Sequence, residues 1–373
     1  MKNPLLGLRR QCMDGRIACG VLQREDEGGN ARVMGGSVSK DDAGSRADAP
    51  AAENAAFVPI RLATLRVDRV ARFDTFLEPG PGQPLVLYSE RDVRFTEEAR
   101  QRLVDNRVDT LYVHRDQLPE YNRYIQENLA DLLAEEALPI EARADLLYSS
   151  ASAVVEDVFA EPLAQESIQR SKGVVKNTVS MMLTDPHVFG YLLKVVAPDY
   201  RISTHSVNVV TYAVALAQRA GYGDAATLRE LATGALLHDV GKTRVDSAIL
   251  ESPGPLSLEQ WDALKKHPAE GHDMLASTDS LGEVALDIVR HHHEKVRGGG
   301  YPDGLAGDRI SPFVRIVTIA DVFDALTTHR PFQRARASFN ALSLMTTQLA
   351  VDLDRELFRL FVGMMGNPAL RVA

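Results

Sequence analysis

Only two cysteines occur in 373 residues, Cys12 and Cys19, and both lie in the least patterned part of the chain. So few exclude a disulfide framework and point to a reducing compartment. A metal site on the pair is the sharper reading of them, two bystander thiols the plainer one. Positive charge is also in short supply, the formal net charge being −9. A nucleic-acid polymer is bound by releasing counterions to a basic footprint, so that class of partner is excluded. A small anionic ligand is not, since it needs only a local cluster of positive charge. Long apolar runs are missing as well. The longest, near Val207 to Ala217, is too short to cross a membrane and is interrupted by Asn208 and Thr211. The apolar segment in the opening MKNPLLGLRRQ is too short for a signal peptide. No membrane span and a cytoplasmic location are therefore expected. There are no internal repeats.

What is present falls into segments of different texture. Residues 1–55 are rich in Gly, Ala, Asp, Arg and Ser without a hydrophobic period, and are expected to be a disordered tail. A start codon assigned too far upstream gives the same texture. From Phe57, short apolar runs at Phe57–Ile60, Phe73–Leu77 and Leu85–Tyr88 alternate with turn formers such as Pro79-Gly80-Pro81-Gly82. Thr96 reads as the N-cap of a helix reaching about Asn106, with Glu97 and Glu98 in its first turn. Val108–Val113 follows as a strand. Residues 56–119 thus read as a small α/β module with a regulatory or docking role. Beyond Tyr121 the pattern is helical, punctuated by Pro139, Pro162, Pro186 and Pro198. We read 120–172 as a helical connector and 173–370 as one compact all-α domain, making the chain mainly α.

Nine of the ten histidines lie after residue 186. Asp224 to Val240 reads as a helix capped by Asp224 and stopped at Gly241, with His238 and Asp239 in its last turn. The free carbonyls of a helix C-terminus favour cations, so metal-binding side chains there make electrostatic sense. A His-Asp pair alone fits a structural histidine better than a metal site. His205 sits in the first turn of a helix opened by Ser203 or Thr204, striped by Val207, Val210, Val214 and Ala217 and ended by Gly221. His267 follows the helical stretch Leu258–Lys266, and His291, His292 and His293 precede Glu294. Asp321 falls in FVRIVTIADVFDAL, apolar enough for a buried helix, where a carboxylate must be paired, hydrogen-bonded or metal-bound.

HDVGK, HPAEG, HHE, GYPDGL and IADVFDALTTHRPF, in this order and spacing, closely resemble the HD-GYP family. The resemblance is strong from about Ser203 to Arg334 and weaker to about residue 365. It implies an all-helical, metal-dependent HD-type phosphohydrolase domain that hydrolyses cyclic di-GMP in bacterial signalling, either to linear pGpG or onward to GMP. It further implies metal ligands at His205, His238, Asp239, His267, His292, His293 and Asp321, with Asp239 bridging two divalent ions. An N/O ligand set without thiolate suits iron, manganese or zinc, and the family points to iron. His291 is left over, as a supporting or surface residue. Such a centre activates water at neutral pH and neutralises charge growing on the phosphoryl oxygens. Lys242, just past the helix end, is implied to contact phosphate or the attacking water; a solvated lysine is the plainer reading. Gly300, Tyr301 and Pro302 of the family's naming loop, with Arg330 and Arg334, are implied substrate contacts.

The sequence departs from the family pattern at Lys295, Arg297, Phe332, Gln333 and Arg201, the last where some members carry a glutamate for a third ion. No core ligand is lost. Rate and substrate preference are thereby put in question, and a catalytically weak module that senses a cyclic dinucleotide or scaffolds a partner is the alternative. Homodimerisation, or a signalling partner docked through the N-terminal module, is compatible with either reading.

Overall fold

The computed structural model describes residues 56–366 except 81, 136–137, 186, 197–200, 253 and 330–333. The expected tail with Cys12 and Cys19, and the positions Pro81, Pro186, Pro198, Arg330, Phe332 and Gln333, lie outside the described residues. The chain divides into two compact units at Leu138/Pro139.

The first unit is built on four strands, β1 (Phe57–Arg61), β2 (Thr75–Leu77), β3 (Val86–Ser89) and β4 (Thr110–His114), in the antiparallel order β1-β4-β2-β3. On β4 the side chains alternate, with Leu111 and Val113 buried, as the two-residue period of a half-covered strand requires. Helix α1 (Glu97–Asp105) starts where expected: the Thr96 side chain accepts from Ala99 N, and Glu97 and Glu98 occupy the first turn. Helix α2 (Leu118–Ala134) contributes Leu129 and Leu132 to the buried set that includes Ile60 and Phe73. Tyr124 of α2 accepts from Arg66 N at 2.7 Å, fixing helix to loop. The segment expected as a connector is therefore shared out, its first helix belonging to this unit.

The second unit is all-helical: α3 (Ile140–Ala160), α4 (Gln165–Thr184), α5 (Val188–Val195), α6 (Ile202–Arg219), α7 (Ala225–Leu237), α8 (Ser247–Leu250), α9 (Leu258–Leu264), α10 (His267–Ala276), α11 (Glu283–His291), α12 (Pro312–Thr327), α13 (Ser338–Leu344) and α14 (Arg355–Met365). Helix α6 is its axis. From Ser203 to Ala217 nearly every side chain is buried, the polar Ser203, His205, Ser206, Asn208 and Thr211 along with the expected stripe of Val207, Val210, Val214 and Ala217. It packs against α3, α7, α12 and α14, while α11 lies on α7 and α10 on α11. Two helix ends differ from expectation. Helix α7 stops at Leu237 with His238 as its C-cap, and Val240–Arg244 forms a separate 3-10 turn. Helix α9 ends at Leu264, so that His267 begins α10. Among the described residues no helix is long and apolar enough to cross a membrane.

Candidate metal centre

The ligand candidates arrive from helix ends and from one buried helix. His205 lies one turn into α6, His238 caps α7, Asp239 opens the 3-10 turn, and His267 is the first residue of α10. His292 caps α11, His293 follows it, and Asp321 sits mid-α12. The glycines of HDVGK and HPAEG explain why two of these ends can meet. A Cβ on Gly241 would stand 1.9 Å from the His267 carbonyl oxygen and 2.6 Å from Gly271 N. Only a residue without a side chain allows the 3-10 turn to lie directly on α10.

All seven candidates converge. His205, His238 and Asp321 form one group, and Asp239, His267, His292 and His293 a second, each with ligand atoms within 4.8 Å of one another. Asp239 lies between them. Its Oδ2 is 3.6 Å from His205 Nε2 and 3.4 Å from His238 Nε2, while its Oδ1 is 3.3 Å from His267 Nε2 and 3.9 Å from His292 Nε2. Asp321 also spans the groups, with Oδ1 3.2 Å from His205 Nε2 and Oδ2 3.9 Å from His293 Nδ1.

The donor chemistry fits cations. The Nδ1 atoms of His238, His267 and His292 lie 2.7, 2.8 and 2.9 Å from the carbonyl oxygens of Ala235, Leu264 and Val289. A carbonyl only accepts, so each Nδ1 carries the proton and each Nε2 turns a lone pair into the cluster. His267 Nε2 and His292 Nε2 then face each other at 3.3 Å as two acceptors, which needs a positive centre nearby. His238 Nε2 and Asp239 Oδ1 are buried without a hydrogen-bond partner among the described residues, an arrangement that is costly unless something coordinates them.

Electrostatics hold the groups in ligand form. Burial pushes the Asp239 carboxyl up, but the Lys242 ammonium and the imidazoles of His238 and His267 outweigh it and hold it well below the carboxylate range. Asp321 is likewise lowered, burial being overcome by His205 and then His293 and His238. Burial, reinforced by neighbouring imidazoles, pushes His292 well down and His293 to about 3. Ionised carboxylates and neutral imidazoles are the forms that bind metal.

Around the cluster, Lys242 is buried with Nζ 2.5 Å from Asp239 Oδ2. It is therefore not a solvated surface lysine. The GYP loop packs on the histidine pair. Tyr301 lies over the His293 ring at a centroid distance of 4.7 Å, and a Cβ on Gly300 would meet Glu294 Cα at 2.5 Å, so that glycine lets the loop close down on HHE. Pro302 is half-buried beside Asp303, whose N–H donates to Glu294 Oε1 at 2.8 Å. His291 turns away from the cluster, pairing with Asp287 at 2.6 Å and Asp303 at 2.9 Å. Lys295 and Arg297 both pair with Asp352, and Arg201 is the exposed N-cap residue of α6. Arg334 is exposed in the segment before α13, and Arg330 lies outside the described residues.

Three supporting residues escaped the sequence reading. Asp324 is fully buried one turn after Asp321, its Oδ2 2.7 Å from His205 Nδ1. Asn208 donates to Asp324 Oδ1 at 2.8 Å, and Tyr148 donates to Asn208 Oδ1 at 2.8 Å. The signal for two of them was available. A second aspartate one turn along an apolar helix, and an asparagine interrupting an apolar run, both need buried partners.

An HD domain family model matches residues 185–357. A cyclic di-GMP phosphodiesterase of Pseudomonas aeruginosa is 32% identical over 236 residues, covering 62% of this chain and 56% of that protein. A 3'3'-cGAMP-specific phosphodiesterase of Vibrio cholerae is 39% identical over 154 residues, covering 41% of this chain and 33% of that protein. The chain thus spans little more than half the length of the first relative and a third of the second. The solved structure of the HDG"Y"P protein Bd1817 from Bdellovibrio bacteriovorus superposes with a TM-score of 0.60 at 26% identity, covering 83% of this chain and all of that one.

Proposed function

We propose, for a chain that belongs to the HD-GYP family of HD domains, a metal-dependent phosphodiesterase activity on cyclic dinucleotides, with cyclic di-GMP as the first substrate and pGpG, then GMP, as products. The observation that carries this reading is the pair of ligand groups meeting on the two oxygens of Asp239. His205, His238 and Asp321 would hold one ion and His267, His292 and His293 the other, with Asp239 shared; iron is the first candidate, manganese or zinc the next. Two such ions, when bound, would supply an activated water at neutral pH and would neutralise charge developing on the phosphoryl oxygens.

The chain's own residues do the rest. The backbone carbonyls behind His238, His267 and His292 keep each ring oriented, so no reorganisation is needed when charge develops. Lys242 places a cation at Asp239 Oδ2, where it can also meet a phosphate oxygen. Tyr301 presents an aromatic face at the edge of the centre, suited to stacking on a base or packing on a ribose. Arg330 and Arg334 are assigned to phosphate contact on the family resemblance.

The Vibrio cholerae relative's named specificity makes a mixed cyclic dinucleotide the second substrate reading. The test is product analysis of cyclic di-GMP, 3'3'-cGAMP and cyclic di-AMP incubated with protein purified anaerobically with ferrous iron. Linear product from cyclic di-GMP ahead of the others is expected. Turnover of 3'3'-cGAMP alone moves the proposal to that substrate, and binding without turnover of any of them replaces it with the sensor reading.

A further inference from the structure

Three ligand histidines are oriented by the carbonyls of their own helices, which no side-chain substitution removes. His205 is oriented differently. Its Nδ1 meets Asp324 Oδ2 at 2.7 Å, Asp324 Oδ1 accepts from Asn208 Nδ2 at 2.8 Å, and Asn208 Oδ1 accepts from Tyr148 Oη at 2.8 Å. The four residues are 1%, 0%, 0% and 8% exposed, so water does not substitute for any link. Tyr148 lies on α3, outside the 185–357 segment that matches the HD domain family.

The direction of each bond matters. An asparagine side chain has two ends of nearly equal shape and opposite polarity. The Tyr148 hydroxyl donates, so it selects the carbonyl end and leaves the Asn208 NH2 facing Asp324. With the amide reversed, the asparagine carbonyl would confront a carboxylate oxygen at hydrogen-bond distance, two acceptors in a dry site. Asp324 would then turn to recover a donor, and the His205 Nδ1–H would lose its fixed acceptor. His205 Nε2, 3.2 Å from Asp321 Oδ1, keeps its aim only while that acceptor holds.

We infer that Tyr148 is a positioning residue for the ion site built on His205, His238 and Asp321, acting through Asn208 and Asp324; the inference rests on the metal-centre reading above. Helix α3 thereby takes part in metal affinity although it supplies no ligand.

The experiment is Mn2+ titration of the chelator-stripped 373-residue chain, wild type against Tyr148→Phe, paired with 15N-histidine NMR of the metal-free proteins. Residues that orient a ligand commonly carry 10–100-fold in metal affinity, and a loss of about tenfold is expected for Tyr148→Phe. The His205 ring should pass from a pure Nδ1–H tautomer to a mixture. Asn208→Leu, which breaks the chain without touching α3, should lose at least as much, and the double variant no more than Asn208→Leu alone. Wild-type affinity in Tyr148→Phe, whatever its thermal stability, overturns the inference, as does an affinity loss with the His205 tautomer unchanged. Losses that multiply in the double variant also overturn it. If Tyr148→Phe does not fold, Asn208→Leu alone decides, by the same affinity and tautomer readings. Failure of the wild type to bind Mn2+ instead overturns the metal-centre reading beneath it.

Discussion

Gly241→Ala adds one carbon where the 3-10 turn lies against α10. The new Cβ would stand 1.9 Å from the His267 carbonyl oxygen, 2.8 Å from its carbonyl carbon and 2.6 Å from Gly271 N. All three are backbone atoms, so no side chain can rotate away. Relief to an ordinary carbon–oxygen separation of about 3.3 Å requires the turn and α10 to part by more than about 1 Å. Overpacking of this kind costs roughly 1–3 kcal/mol and occasionally more. For a unit of this size that is a fall in Tm of roughly 3–10 °C. The same displacement carries His267 away from Asp239, now 3.3 Å apart, and a ligand moved by more than about 0.5 Å leaves its working geometry. Thermal unfolding of metal-free protein and Mn2+ titration of the same sample measure the two effects. A variant that melts with the wild type and binds Mn2+ equally would refute the claim that this glycine contact sets the distance between the two motifs.

Asp239→Asn keeps the shape but halves the coordinating power at the shared position. It should abolish hydrolysis and cut bound metal while far-UV circular dichroism stays native; full activity with normal metal content would contradict the bridging assignment. Acid should destabilise the metal-free protein. His293 titrates at about 3 in the fold and near 6.5 when unfolded, so below about pH 6.5 the unfolded chain takes up a proton that the folded site refuses. Stability then falls by about 1.4 kcal/mol per pH unit from this group, with His292 acting in the same direction. His291, raised against burial by its hydrogen bonds to Asp287 and Asp303, acts in the opposite direction but only above about pH 6.5, and the lowered carboxylates are ionised in both states above about pH 5. Urea unfolding between about pH 6.5 and pH 5 reads the slope, and a profile that is flat there, or rises as the pH falls, would sink the argument. Arg330→Ala should weaken cyclic dinucleotide binding about tenfold or more, the loss of a charged hydrogen bond being worth roughly 1.5–3 kcal/mol, with metal content intact. An unchanged dissociation constant in titration calorimetry removes Arg330 from the substrate site.

Local chemistry was legible in the sequence. Thr96 and Asp224 cap the helices they were expected to cap, because a short polar side chain before an apolar-periodic run has few other uses. The seven ligand candidates could be named because their order and spacing form motifs, and they converge in space. Relations that span the chain were not legible. The sheet order puts β4 between β1 and β2, a pairing no local period encodes. Tyr148 and Asn208 are 60 residues apart and Asn208 and Asp324 116, so only the fold reveals that they touch. Gly241, taken as a stop signal, predicts an end for α7 three residues beyond the one observed. Its use is different: it permits a backbone to lie against it, and the helix has already ended at the residue that must turn its ring inward.

The count of metal ions in competent protein tests the account most directly. Under the proposed reading seven side chains would fill two sites with Asp239 shared, and Arg201, at the position of a third-ion glutamate in some relatives by the family resemblance, is a permanent cation that cannot ligate. Elemental analysis of anaerobically prepared protein, titrated from the chelator-stripped state and normalised to active chains, should give two equivalents per chain, with hydrolysis of cyclic di-GMP rising until the second is bound. Activity that survives complete stripping, or that tracks a third equivalent, would contradict it.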